Sequence, residues 1–338
     1  MSLPNHIEHD ASPNIALSNM HPWVDPKSQQ PLHQQGDAIY NSYTDRKVAE
    51  IVGGIPRFVK AHENYSESFG WQWKKWEDAR SDQRNNGHNL KDIILQRTHF
   101  LDYDLEGKSL LECGMGGGDD TEILLQLPLG EIHSFDISTS VERAAKFLKD
   151  PRLTISQASI LDIPYSDESF DIVYCHRVLQ HTPNPAASLR SICAKVKRGG
   201  ILFAHSYKRS WRYMSEWRYK YRWLTKRLPH RWVFSYVDAC GPFLHHVKKI
   251  MANNLLTRAF SYQFIPFYWM PPASITGQLS TDQQIELEKC ITFDALTPWH
   301  DHPMTSKQFR SIIEAEGFEI QHIHDPKSSP IYCTAVRK

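Results

Sequence analysis

Between residues 108 and 206, short apolar runs alternate with segments of helical period. Strands are expected at 108–113, 131–136, 153–158, 170–175 and 200–206, and helices at 119–127, 140–149 and 186–197. Strand and helix in strict alternation predict an α/β fold, a doubly wound and mainly parallel sheet with helices on both faces. Such sheets bind ligands outside the carboxyl ends of their strands. Glu112, Asp136, Ser159 and the pair Cys175-His176 all fall at such ends.

The alternation stops at 207 and resumes with a helix at 305–317 and strands at 318–324 and 331–337. Residues 207–290 therefore read as a helical insertion or cap, and 291–338 as the last helix and strands of the core. Within the insertion, Trp211, Met214, Trp217, Tyr221, Leu224 and Leu228 recur at spacings of three and four. That pattern predicts one helix with an apolar stripe against the core and a basic face in solvent, ended by Pro229. Basic residues interleaved with Trp and Tyr also suit a membrane interface, so peripheral contact through 211–228 is the alternative. Ahead of the core, residues 1–20 read as a disordered tail, 21–60 as a small β-rich module and 61–105 as a helical aromatic linker. Tyr65, Phe69, Trp71, Trp73 and Trp76 in that linker either pack on the core or form a lid over the ligand.

Composition narrows the class. The chain has 338 residues, 41% of them hydrophobic, and a net charge of +1. That length supports a sizeable core, and the balanced charge gives no reason to expect nucleic acid as a partner. Six cysteines, at 113, 175, 193, 240, 290 and 333, form no C-x-x-C and read as reduced thiols. The chain opens on no apolar secretory segment, and no apolar run approaches about 18 residues. A cytoplasmic protein is the expectation, with a membrane-peripheral one as the alternative. Eighteen histidines are scattered without H-E-x-x-H, and no metal is expected.

The chemistry concentrates at Ser109–Asp120. An apolar strand ends in Glu112, and glycines follow at 114, 116 and 118. Glycines let a backbone turn sharply and approach a ligand closely. Asp136, at the end of the next strand, is placed to take both ribose hydroxyls of a nucleoside. The dinucleotide fingerprint needs a third glycine at 119, where Asp119 stands. Asp119 and Asp120 put two negative charges in the first turn of the following helix, which repels a phosphate and favours a cationic ligand. S-adenosylmethionine, with an adenosine, a sulfonium and an ammonium but no phosphate, fits that turn. No G-K-[ST] follows the glycines, which excludes a Walker loop.

With the glycine motif, the run "ISQASILDIPYSDESFDIVYCHRVLQHTPNPAASLRSICAKVKRGGILFAHS" (155–206) resembles class I S-adenosylmethionine-dependent methyltransferases of the type 11 group. The resemblance covers about a hundred residues (108–206) and implies a Rossmann-like core. It implies that Glu112 lies near the methionine ammonium, that Gly114, Gly116 and Gly118 pass under the ligand, and that Asp136 holds the ribose. Ser159 stands where relatives often have an Asp that accepts from the adenine amine, with the Ile160 amide beside it. The backbone at Cys175, His176 and Arg177 would line the methionine and methyl end. Gln180-His181 stands where many relatives have His-His, so His181 is either a general base or a residue orienting the turn at Pro183. Asp294 and His300, in the segment before the last core helix, are the other candidates for a base or for acceptor recognition. A separate resemblance lies in "HPWVDPKSQQPLHQQGDAIYNSYTDRKVAEIVGGIPRFV", which looks like the zinc-ribbon module that activates some tRNA methyltransferases. This segment has no cysteine. Zinc is therefore not expected, and Trp23, Leu32, Ile39, Tyr40, Ile51 and Ile55 would hold the module.

The expected activity is methyl transfer by in-line displacement from S-adenosylmethionine to a small-molecule, sugar or lipid-linked acceptor. No N-P-P-Y-like motif is present, which argues against an amide or adenine nitrogen and leaves oxygen as the favoured atom. The alternative is a catalytically silent scaffold that binds S-adenosylmethionine.

Overall fold

The computed structural model describes residues 23–59, 66–76, 90–270 and 279–338; the expected tail at 1–20 lies outside them, as does Tyr65. The chain starts with a meander of β1 (Leu32–Gln35), β2 (Ala38–Asn41), β3 (Lys47–Val52) and β4 (Ile55–Arg57). The core strands are β5 (Ser109–Cys113), β6 (Glu131–Asp136), β7 (Leu153–Gln157), β8 (Phe170–Cys175), β9 (Val196–Ser206), β10 (Phe318–His324) and β11 (Ile331–Arg337). All eleven form one sheet among the described residues, in the order β1-β2-β3-β4-β7-β6-β5-β8-β9-β11-β10. Strands β7-β6-β5-β8-β9 run parallel, and β11 and β10 close the sheet antiparallel. The order reverses between β5 and β8, so the crevice at their carboxyl ends is where a ligand of this fold binds.

The parallel strands are buried on both faces, as their continuous apolar runs require. Every residue of β5 is buried. Helices α3 (Asp119–Leu124), α4 (Val141–Phe147) and α5 (Pro185–Ala194) cross between them, preceded in the chain by α1 (Glu67–Lys75) and α2 (Leu90–Thr98). The Asn184 side chain accepts from the Ala187 N–H and starts α5, with Pro185 in its first turn.

Two expectations are corrected. Residues 21–60 are β-rich as expected, but they are not a unit apart from the core: β4 pairs parallel with β7 at Arg57 and Gln157, so the meander extends the central sheet. Trp23 donates from Nε1 to the Tyr165 hydroxyl at 3.0 Å, and Ile39 and Ala49 join the main core. The likeness to a zinc ribbon finds no support here.

The second correction concerns the insertion. It holds α6 (Trp211–Met214), α7 (Trp217–Thr225), α8 (His230–Met251), α9 (Leu255–Phe264) and then α10 (Thr281–Leu296), before α11 (Ser306–Ala315) of the core. The single helix expected over 211–228 breaks at Ser215-Glu216, and its faces are partly reversed. Trp211 is 86% exposed and Trp223 65%, whereas Arg222 is 7% exposed. Arg222 reaches the Ala295 carbonyl at the end of α10 (2.8 Å from Nε) and pairs with Asp301. A helix end leaves carbonyls without intrahelical partners, and a guanidinium satisfies them well. An apolar count along the sequence cannot register that demand. Helix α10 also runs through the expected boundary at 290.

Candidate active site

The glycine turn leaves β5 with Gly114 at φ +84° and Gly116 at φ +54°. A Cβ at Gly114 would lie 2.3 Å from the Val178 side chain, and one at Gly116 would press on the Trp73 ring at 3.1 Å. Both positions therefore need glycine for space as well as for conformation. The turn opens on a cavity of about 310 Å³, within the range of ligand sites. Its wall includes Gly114, Met115, Gly116, Asp119, Asp120 and Asp136 from the carboxyl edge of the sheet. Phe69 and Trp73 of α1 line it as well. Trp71 and Trp76 instead pack on Phe293 and Phe234.

Asp136 sits on the wall with three acceptor sites filled. Oδ2 takes the Gly116 N–H at 2.9 Å, and Oδ1 takes the Ser138 N–H at 2.8 Å and the Ser138 hydroxyl at 2.6 Å. A carboxylate offers about four such sites, so room remains for a ribose hydroxyl. Burial pushes its carboxyl up, against those hydrogen bonds. Ile137, Ala158 and Ile160 add an apolar flank suited to an adenine.

Glu112 does not reach the cavity. It lies under the turn, accepting the Thr121 and Ser134 hydroxyls at 2.7 Å each. Burial pushes its carboxyl up to about 8, so near pH 7 it is largely protonated. Asp120 occupies the wall instead. It accepts from His176 Nδ1 at 2.6 Å and from the Tyr174 hydroxyl at 2.8 Å. Burial alone would raise its carboxyl, but His176, Arg177 and Tyr174 outweigh burial and hold it well below the usual range. Burial lowers His176 to about 4. The neutral ring accepts a hydrogen bond from Arg97 Nη1 at 3.1 Å on Nε2 and donates to Asp120 from Nδ1. Arg143 fixes the turn from the other side, through the Gly117 carbonyl and Asp119.

Ser159 and Cys175 also miss the cavity. The Ser159 hydroxyl accepts the Leu161 N–H at 3.2 Å, and Cys175 is buried in the main core with its thiol pushed up by that burial. Ile160 and His176 are on the wall.

A second cavity of about 1120 Å³ adjoins the first. The two share Arg177, His181, Tyr207, Tyr268, Ile291 and Asp294. His181 Nδ1 meets the His300 carbonyl at 3.2 Å. A carbonyl only accepts, so the proton is assigned to Nδ1 and Nε2 is left with its lone pair. Asp294 projects from α10, not from a loop. His300 lines neither cavity, and its ring contacts His302 at 3.3 Å. Asp301 is taken by Arg222. Among the described residues, His99, Asp102 and His322 alone group with metal-ligand spacing, and they line neither cavity. The sequence marks Asp120 by its charge in the first turn of α3 and Arg177 by its place after β8, but carries no local signal for the bonds from Tyr174 and His176 to Asp120 or for the left-handed backbone at Arg177.

Residues 111–204 match the model of a family described as a methyltransferase domain. The chain is 26% identical to the ubiquinone biosynthesis O-methyltransferase of Neisseria meningitidis serogroup C (strain 053442), over 47% of this chain and 69% of that protein. It is 28% identical to the protein of the same name from Pseudomonas fluorescens (strain SBW25), over 40% of this chain and 59% of that one. Among solved structures it aligns with magnesium protoporphyrin IX methyltransferase from Synechocystis PCC 6803 with bound SAH. There the TM-score is 0.44 at 14% identity, covering 81% of this chain and 96% of the other.

Proposed function

We propose that this S-adenosylmethionine-dependent methyltransferase moves a methyl group to a hydroxyl oxygen of a small-molecule acceptor seated in the second cavity. When bound, S-adenosylmethionine supplies an electrophilic methyl group on its sulfonium. The chain binds, orients and excludes water. Asp136 takes the ribose, the Ile137, Ala158 and Ile160 side chains flank the adenine, and ionised Asp120 faces the ammonium. The glycine turn lets the backbone pass under the ligand, and Phe69 and Trp73 close over it. Alignment of donor and acceptor across the junction of the two cavities is the main source of rate.

His181 carries the choice of oxygen. Its Nδ1 is held on the His300 carbonyl, so Nε2 stands ready to take a proton at the junction. A hydroxyl acceptor must lose a proton on methylation, and a positioned histidine is the usual group to receive it. Asp294, on the same junction, helps orient the acceptor. The names of the O-methyltransferase relatives support the same reading. The exposed Trp211 and Trp223, beside Arg212 and Arg227, suit a headgroup boundary. We infer that 211–228 meets an anionic membrane and that a lipid-linked acceptor enters from there. No helix of the described residues is long and apolar enough to cross a membrane.

The test is a panel of hydroxyl, amine and carbon acceptors with methyl-labelled S-adenosylmethionine. The label is expected on oxygen. His181→Gln should lower kcat on the order of 10²–10⁴-fold, with S-adenosylhomocysteine affinity unchanged. Methylation of nitrogen or carbon alone, or full turnover in the variant, would contradict the assignment.

A further inference from the structure

The second cavity carries a charge that the chain as a whole lacks. Net charge is +1 over the full sequence. Yet the described lining residues include seven arginines and lysines against two carboxylates, Glu216 and Asp294. Two of these cations are committed within the protein, Arg218 to Glu216 at 2.8 Å and Arg222 to Asp301. The others, among them Arg177, Arg212, Arg258 and Lys248, form no ion pair among the described residues.

Arg177 stands out. Its backbone is left-handed at φ +63°, a conformation that costs a residue with a side chain and persists where the surroundings impose it. The Arg177 N–H donates to His205 Nδ1 at 3.3 Å, while its guanidinium has no hydrogen bond or ion pair among the described residues. It lines both cavities, beside His181. Arg97 also lines the second cavity; burial first, and then the like charge of Arg177, lower its pKa. Asp120 is the carboxylate that both guanidiniums feel, and it is already held by His176 and Tyr174. The positive charge left over is stabilised by an anion, and charge-assisted bonds to an oxyanion are roughly twice as strong as neutral ones. Lys248 adds a third cation, buried against the Phe267 carbonyl at 2.7 Å and lowered by that burial to about 8. Tyr213, Trp217, Tyr262, Tyr268 and Trp269 supply aromatic wall.

We propose that the second cavity takes an acceptor with an anionic group, carboxylate or phosphate, on an aromatic or apolar body, and that Arg177 anchors that group next to the hydroxyl facing His181. The proposal rests on the reading of this cavity as the acceptor site. The other source of an oxyanion near Arg177 is the carboxylate of the cofactor itself, and the experiment separates the two.

The probe pair is anilinonaphthalenesulfonate, an aromatic anion, and N-phenylnaphthylamine, a similar scaffold without the charge. Both fluoresce when bound in apolar surroundings. Titrations use the full chain saturated with S-adenosylhomocysteine. The anion should bind about tenfold or more tightly than the neutral probe, the worth of one or two charged hydrogen bonds. Arg177→Gln should remove that advantage, with the neutral probe and S-adenosylhomocysteine within about threefold of wild type. The double variant Arg212→Gln/Arg258→Gln, at exposed positions that leave the fold intact, should reduce the advantage in part and steepen no salt dependence. Equal affinities for the two probes, or binding of neither, would overturn the proposal. So would an Arg177→Gln variant that loses S-adenosylhomocysteine and keeps the anion, which would give Arg177 to the cofactor. Failure of wild type to bind S-adenosylhomocysteine would instead sink the methyltransferase reading on which the proposal stands.

Discussion

Glu112 and Asp136 look alike in the sequence, each an acid at the end of an apolar run, and their surroundings separate them. Side chains alternate along a strand, so one residue's difference in where a strand ends decides which acid meets the ligand. Asp136 closes β6 and lines the cavity at the crevice. Glu112 was misread because its side chain turns under α3 to Thr121 and Ser134. Its consequence is measurable. The folded pKa, about 8, is above the ordinary 4.5, so the folded state binds more protons between these values. Stability from this group is full below pH 4.5 and is lost as pH rises toward about 8. Denaturant unfolding of wild type should show that decline, and Glu112→Gln should flatten it. Equal slopes in the two proteins would refute the assignment. The charge of Asp120 is legible in the local pattern, but its partners Tyr174 and His176, more than fifty residues on, and the backbone angle at Arg177 are not.

At the level of elements, β5 to β9 and α11, β10 and β11 lie close to where the apolar period put them, because buried parallel strands and short crossover helices leave strong local signatures. The insertion was less legible. Its polar contacts, Arg222 on α10 and Lys248 on the Phe267 carbonyl, turn cations inward and leave Trp211 and Trp223 outside. The N-terminal strands read as a unit of their own in the sequence because their link to the core, Arg57 and Phe58 against Gln157, spans about a hundred residues and leaves no local pattern. If 211–228 meets a membrane, vesicles rich in anionic lipid should sediment the protein. The double variant Trp211→Ser/Trp223→Ser should weaken that binding by about tenfold while keeping its unfolding temperature. Wild type that stays in the supernatant would refute the contact.

Over the whole molecule, the sheet fixes where chemistry happens and the additions decide on what. The order reversal at β5 and β8 makes the crevice, α1 lines it, and the insertion with α10 builds the second cavity against it. The cofactor half followed from the alternation and the glycine turn. The second cavity, the proposed acceptor site, did not, because its wall gathers residues from Arg97 to Pro330 that share no pattern along the chain. The central claim is that the carboxyl edge around Asp136 holds an adenosyl ligand. Calorimetric titration with S-adenosylhomocysteine, wild type beside Asp136→Ala, tests it most directly. The account predicts binding to wild type and a loss of about tenfold or more in a variant that remains folded, the worth of a charged hydrogen bond to the ribose. Equal affinity in a folded Asp136→Ala, or no binding by folded wild type, would contradict it.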